Sequence, residues 1–312
     1  MKIIDMHSDI GTNLYERHLN NEKDVFKKCH LDDLTKGEVK GIFTACYFSG
    51  VENWDYMQKM IINCNEELNS NTDTCRLVKD KNNLIEDDKI LTCISVEGMG
   101  GVDGNVEEKI EWMYQNNIRI ASLVWNESNH LADGWPNNPL RGLSEDGFKV
   151  IKKMNELNMI IDVSHINEKG FWDIISTSTK PIIATHSNAR QLCLHDRNLT
   201  DQQIKAIASK GGLIGLNTVK FFISNNTNEQ NSLGLARQAK YMAELVGVEH
   251  IACGFDFMNF MLGESGDENA IDLKSAANAQ NLIKALKEVG FNDEDISKIA
   301  FKNVYNFLKK YL

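Results

Sequence analysis

A chain of 312 residues with 42% hydrophobic residues can bury a large core, either as one big domain or as two ordinary ones. A net charge of -10 with no Lys/Arg-rich block removes the electrostatic footprint of a nucleic-acid or anionic-membrane binder, which leaves a small substrate or a protein partner. The seven cysteines are scattered and never spaced Cys-x-x-Cys, the start Met1–His7 turns polar too soon for a secretory leader, and no stretch approaches about 18 apolar residues; a reduced, cytoplasmic protein with no membrane span is expected.

Short β-rich apolar runs alternate with longer segments of helical period. Candidate strands fall at Ile3–Met6, Ile42–Phe48, Ile90–Val96, Ile118–Val124, Met159–Val163, Pro181–Thr185, Leu213–Asn217 and His250–Gly254. Between and after them the pattern predicts helices over Trp54–Asn69, Val106–Asn116, Glu145–Leu157, Glu168–Ser176, Asp201–Ser209, Leu233–Val246, Leu273–Val289 and Asp293–Tyr311. Ser144 and Thr200 stand where helices should start, and Gly247 and Gly290 where they should stop. With three prolines and no Ser/Gly-rich linker, residues 1–312 read as a single α/β domain, a (β/α)8 TIM barrel with C-terminal helices. Gly263–Asn269, rich in Gly, Ser and acids, reads as a solvated loop.

Barrel enzymes carry their chemistry on the loops that follow the strands, so polar residues at those points need an explanation. The first strand ends His7-Ser8-Asp9, and alternation puts residues 7 and 9 on one face. A hydrogen-bonded structural pair would account for these two alone. The third ends Val96-Glu97-Gly98, a carboxylate on an apolar strand end that needs either a cationic partner or a metal. The fifth and sixth end in His165 and His186, each capping a β-branched run. Any one histidine can be satisfied by hydrogen bonds within the protein. Three histidines and two carboxylates at four strand ends instead form a set of zinc-type ligands, with room for a water between two ions. Asp256, after the last strand, reads as a proton shuttle or as a support for a ligating histidine.

In order along nearly the whole chain, Asp5-Met6-His7-Ser8-Asp9, Val96-Glu97-Gly98, Asp162-Val163-Ser164-His165, Ile183-Ala184-Thr185-His186-Ser187-Asn188, Arg197-Asn198-Leu199-Thr200, Gly211-Gly212-Leu213-Ile214-Gly215-Leu216-Asn217 and Gly254-Phe255-Asp256-Phe257 carry a specific signal. With them the sequence resembles the renal or membrane dipeptidases, peptidase family M19 of the amidohydrolase superfamily. The resemblance implies two divalent metal ions, zinc foremost, with His7 and Asp9 on one, His165 and His186 on the other, and Glu97 bridging both. It further implies that Arg197 holds the substrate's C-terminal carboxylate, for which a guanidinium fork is suited. A hydroxide between the ions would attack the peptide carbonyl while Asp256 passes a proton to the leaving nitrogen.

One stretch departs from the family. Relatives carry a substrate-polarising histidine just after the fourth strand, where this chain has Trp125. Asn126 or His130 is then a candidate donor to the substrate carbonyl, and Trp125 a wall of the pocket. The segment after Asn217 also lacks the aromatic that often follows it in relatives. The expectation is a zinc dipeptidase acting on a small peptide, with a D-residue at the C-terminal position among the candidate substrates. Neither nucleic acid nor membrane is expected as a partner, and a homodimer is left open. The alternatives are a deaminase, deacylase or esterase using the same binuclear site, or a barrel that binds metal without catalysis.

Overall fold

The computed structural model describes residues 1–261, 263 and 267–312. Its strands are β1 (Ile3–Ser8), β2 (Val39–Tyr47), β3 (Cys75–Leu77), β4 (Ile90–Glu97), β5 (Ile120–Ser122), β6 (Ile160–Asp162), β7 (Ile182–Ile183), β8 (Ile214–Leu216) and β9 (Ile251–Cys253). They pair in parallel in the order β7-β6-β5-β4-β2-β1-β9-β8. A parallel bridge between Ala184 and Ile214, with Gly215 N donating to Ala184 O at 2.8 Å, joins the two ends into a ring. The (β/α)8 expectation is met, and the eight expected strands all form, with several shortened to their central residues.

Alternation explains how the ring fills. Ile4 and Met6 of β1, Phe43 of β2, Leu91 and Cys93 of β4, Ile120, Ile160, Ile183 and Ala252 form an inner core. Val304, Phe307 and Leu308 of the closing helix Asn303–Tyr311 plug it from below. The opposite strand faces, such as Ile42, Ile94, Ala121 and Ile161, pack outward against the helices. Apart from a few buried strand residues such as Asp5, Thr44 and Thr92, the two apolar layers leave polar side chains to the strand ends.

Ser144 accepts from Gly147 N, and Thr200 and Gln203 form a reciprocal capping box, as the start signals require. Gly247 and Gly290 take φ of +97° and +99° behind their helices. Two elements differ from the expectation. A helix Ile10–Leu19 follows β1 directly, in a stretch where the sequence predicts no element; a Cβ at Gly11 would sit 2.5 Å from Ala45 O, so the glycine permits close packing against β2. The expected helix Leu273–Val289 is α-helical only over Gln280–Glu288; ahead of it Asp272 accepts from Ser232 N at 2.8 Å and from Asn281 Nδ2 on its carbonyl, and Ala276–Asn278 forms a 3₁₀ turn. The added strand β3 extends the sheet beside β4 outside the ring.

The expected loop Gly263–Asn269 falls partly outside the described residues; Gly263, Asp267 and Glu268 are exposed, whereas Asn269 is buried. All seven cysteines are free, and six are buried. Among the described residues no helix is long and apolar enough to cross a membrane.

Candidate metal centre

The inward alternation that places Leu91 and Cys93 in the barrel continues through Ser95 to Glu97, so the end of β4 aims a carboxylate at the mouth. On β1 the register shifts between Asp5 and Ser8, which turns His7 into the same space. His165 and His186 arrive from the ends of β6 and β7. Glu97 spans the group: its Oε1 lies 2.8 Å from His165 Nε2 and 3.5 Å from His186 Nε2, and its Oε2 lies 3.4 Å from His7 Nε2. Asp9 Oδ1 is 3.6 Å from His7 Nε2 on the far side, and Asp256 Oδ1 is 3.9 Å from the same nitrogen. The five residues named from sequence are thus in one buried cluster, with Asp256 at its edge.

Whether this cluster suits cations can be judged from its hydrogen bonds. Thr185 gives its one hydroxyl proton to Asp162 Oδ2 (2.5 Å), so at His186 Nδ1 (2.8 Å) it must accept, and His186 Nε2 is left without a proton. His165 Nδ1 lies 3.0 Å from Asn126 Oδ1, which leaves its Nε2 facing His186 Nε2 at 2.9 Å. Two nitrogen lone pairs and a carboxylate oxygen therefore converge with no donor among them. In the other half, His7 Nε2 and Asp9 Oδ1 are buried without a hydrogen-bond partner. Convergent, unpaired acceptors of this kind are costly unless a cation joins them, so the residues fit a two-ion centre. Asp162 also lies within reach of His7 and His186. Its oxygens, however, already accept from Ser164 N, Ser164 Oγ, Thr185 N and Thr185 Oγ1, so it acts as a buttress beneath them.

In the His7 half, the carboxylates draw positive charge onto the imidazole. Burial works against a charge on His7, but the Glu97 and Asp9 carboxylates outweigh it and hold its pKa well above the ordinary value. Burial would also raise Glu97, yet the His7 and His165 imidazoles pull it well below the carboxylate range. Burial lowers His165, with Arg197 adding to the effect, and lowers His186 further, with His7 adding. Asp9 is pushed up by burial to about 6.

Asp256 sits at φ +59°, a left-handed conformation held by Asn269 Nδ2 on its carbonyl (2.8 Å), while Asn217 Nδ2 donates to its Oδ2 (3.1 Å). Arg197 is 3% exposed and forms no ion pair among the described residues. Its Nη1 donates to Ser187 Oγ (2.9 Å) and its Nη2 to His186 O (3.0 Å), and Nε has no partner. Phe222, His195 and Trp135 form a chain of ring contacts beside it. His130 makes no described contact with the cluster, and its Nε2 is buried and unpartnered.

Two participants escape a sequence reading. Asp162 is in a quoted motif, but its role depends on Thr185 from the next strand. Tyr47 pairs with Glu97 across β2 and β4, and its ring meets Trp125 edge-on at 5.1 Å. Burial, then the charges of Glu97 and Asp9, raise its phenol above the ordinary range and keep it protonated. Period-two alternation from Phe43 could have pointed to it.

A profile of the family described as membrane dipeptidase (Peptidase family M19) matches residues 1–311. The chain belongs to this family. A Klebsiella pneumoniae protein, described only as an uncharacterized protein in the pqqA 5′ region, is 34% identical over 233 residues, covering 72% of this chain and 83% of that one. A protein of Claviceps purpurea named dipeptidase tcpJ is 24% identical over 70% of this chain, which spans about half (51%) of its length. Among solved structures, a Rhodobacter sphaeroides metallopeptidase liganded with a phosphinate mimic of L-Ala-D-Ala superposes with a TM-score of 0.86 at 20% identity, covering 100% of this chain and 99% of that one. At that identity the likeness establishes the shared barrel.

Proposed function

We propose that the protein is a zinc-dependent dipeptidase that cleaves short peptides with a free C-terminal carboxylate. The observation that carries the reading is Arg197: a buried guanidinium with no ion pair among the described residues, tied through His186 O to the cluster of unpaired acceptors. A buried cation without an anion is costly, and a substrate carboxylate would supply one. His7 and Asp9 would hold one ion, His165 and His186 the other, and Glu97 both. Two divalent ions at these positions would supply an activated water and a Lewis acid for the scissile carbonyl. The chain's own groups do the rest. Arg197 fixes the C-terminal end, Asp256 at the edge of the cluster takes and returns a proton with Asn217 orienting it, and Trp125 and Tyr47 wall the pocket beside Glu97. The solved relative bound to an L-Ala-D-Ala mimic supports including a D-residue at the C-terminal position among the substrates.

Elemental analysis of purified protein, joined to hydrolysis of a dipeptide panel that includes C-terminal D-residues, tests this reading. Near two zinc per chain and cleavage abolished by EDTA are expected; protein that binds no metal would overturn it. Cleavage of amides or esters lacking a carboxylate, indifferent to Arg197, would favour an amidohydrolase of another class using the same centre.

A further inference from the structure

After β5 the chain folds back as a short hairpin, with Ser128 and Asp133 bridged, Gly134 bridged to Ile166, and Arg141 paired with the buried Asp133. Gly134 is what lets it close: a Cβ there would sit 2.3 Å from Trp125 O. The hairpin lies along the end of β6, where Trp135 N donates to His165 O at 2.8 Å and Asn167 N to Asp133 O at 3.0 Å. From this frame Asn126 presents Oδ1 to two donors at once, Trp135 Nε1 at 2.7 Å and His165 Nδ1 at 3.0 Å.

That pairing has a logical order. An indole N–H can only donate, so the Asn126 atom facing it must be the amide oxygen. With the amide so oriented, the ring nitrogen of His165 that faces the same oxygen must carry the proton, and its Nε2 must be bare. We infer that Trp135 and Asn126 are positioning residues that lock His165 as the Nδ1–H tautomer and aim its Nε2 into the metal centre. The backbone of the same hairpin holds His165 O, so the imidazole is fixed at both ends. Partners of this kind behind a ligating imidazole set its orientation and basicity, and their loss typically weakens metal binding about 10- to 100-fold. Asn126, a candidate substrate donor by sequence, thus spends its carbonyl on the histidine. The inference rests on the two-ion reading above and goes beyond it by assigning residues that the ligand set does not include.

The test uses the zinc-loaded full-length protein with Asn126→Ala, Asn126→Asp and Trp135→Phe variants, each checked by circular dichroism. Zinc transfer to a chromophoric chelator is followed, and 15N-edited proton spectra report the His165 ring N–H. In Asn126→Ala one of the two zinc equivalents should be lost about 10- to 100-fold more readily, and the His165 Nδ1–H signal should disappear or exchange faster. Trp135→Phe should show a smaller loss of the same kind. Asn126→Asp, which still accepts from both donors, should restore parental retention; this contrast with Trp135→Phe decides the matter even if the alanine variant does not fold. Parental zinc retention and an unchanged Nδ1–H signal in both Asn126→Ala and Trp135→Phe would overturn the inference while leaving the two-ion reading intact. A parent protein that binds no zinc would overturn both.

Discussion

Arg197 donates from Nη2 to the carbonyl oxygen of His186 at 3.0 Å, so the residue that would offer an imidazole to the proposed metal centre also anchors the guanidinium beside it. The two ends of a bound dipeptide, its carboxylate and its scissile carbonyl, would therefore be held at a separation set by one residue of the β7 loop.

Removing that guanidinium should show up in binding. Arg197→Ala is expected to raise KM for dipeptides about 10- to 100-fold, the range for losing a hydrogen bond to a charged group worth roughly 1.5–3 kcal/mol. Its effect on kcat should be smaller. Arg197→Lys should fall between, since an ammonium cannot reproduce the fork that grips both Ser187 Oγ and His186 O. Steady-state kinetics on one good dipeptide decide the point, with zinc content as the control; an unmoved KM would refute carboxylate recognition.

Asp256 is expected to act on rate instead. Its carboxylate is oriented by Asn217 and stands at the edge of the cluster, 3.9 Å from His7 Nε2. Asp256→Asn should keep two zinc per chain and lower kcat about 10²- to 10⁴-fold, the usual contribution of a positioned proton-transfer group. Loss of one zinc equivalent in this variant would instead mark Asp256 as a ligand.

Gly98 holds the bend that follows Glu97. It has φ +89°, and a Cβ would sit 2.4 Å from Phe48 O, so backbone strain and a backbone clash coincide. Gly98→Ala should destabilise by about 2 kcal/mol or more and should loosen zinc by displacing Glu97. Gly104 isolates the first of these effects, since at φ +67° nothing lies within 4 Å of its virtual Cβ. Gly104→Ala should cost only about 1 kcal/mol in thermal or denaturant unfolding and leave zinc content alone. Equal destabilisation of the two variants would show that the Phe48 contact does not matter.

Much of this arrangement is written locally. The alternation from Leu91 to Glu97 announces an inward carboxylate, and Ser144, Thr200, Gly247 and Gly290 mark helix ends by chemistry that acts within a few residues. What cannot be read locally is whatever a distant segment decides. The register shift in β1 that turns His7 inward depends on pairing with β2, and Asp162 becomes a buttress only because Thr185 arrives from β7. Asn126 looks like a loop amide until Trp135, nine positions on, comes back to claim one lone pair of its oxygen. The helix Ile10–Leu19 is concealed in the same way, since Gly11 serves a contact with β2 that the sequence around it does not display.

His30 gives a pH dependence that is separate from the proposed metal centre. It is buried, with Nε2 3.1 Å from Asn13 Oδ1, an oxygen that also accepts from Arg17 Nε. Burial, with the Arg17 charge adding to it, lowers its pKa from 6.5 to about 3. In the unfolded chain it titrates near 6.5. Above that pH both states are neutral and the full stability is present. As pH falls from about 6.5 toward 3, the unfolded state takes up a proton that the folded state refuses, so stability is lost. His30→Gln keeps an amide donor for Asn13 and removes the titration. Across melts taken between pH 7 and pH 4, the variant should therefore lose less Tm on acidification than the parent does, whatever its Tm at neutral pH. Parallel Tm curves for the two proteins over that range would mean that His30 is protonated in the fold, against its surroundings.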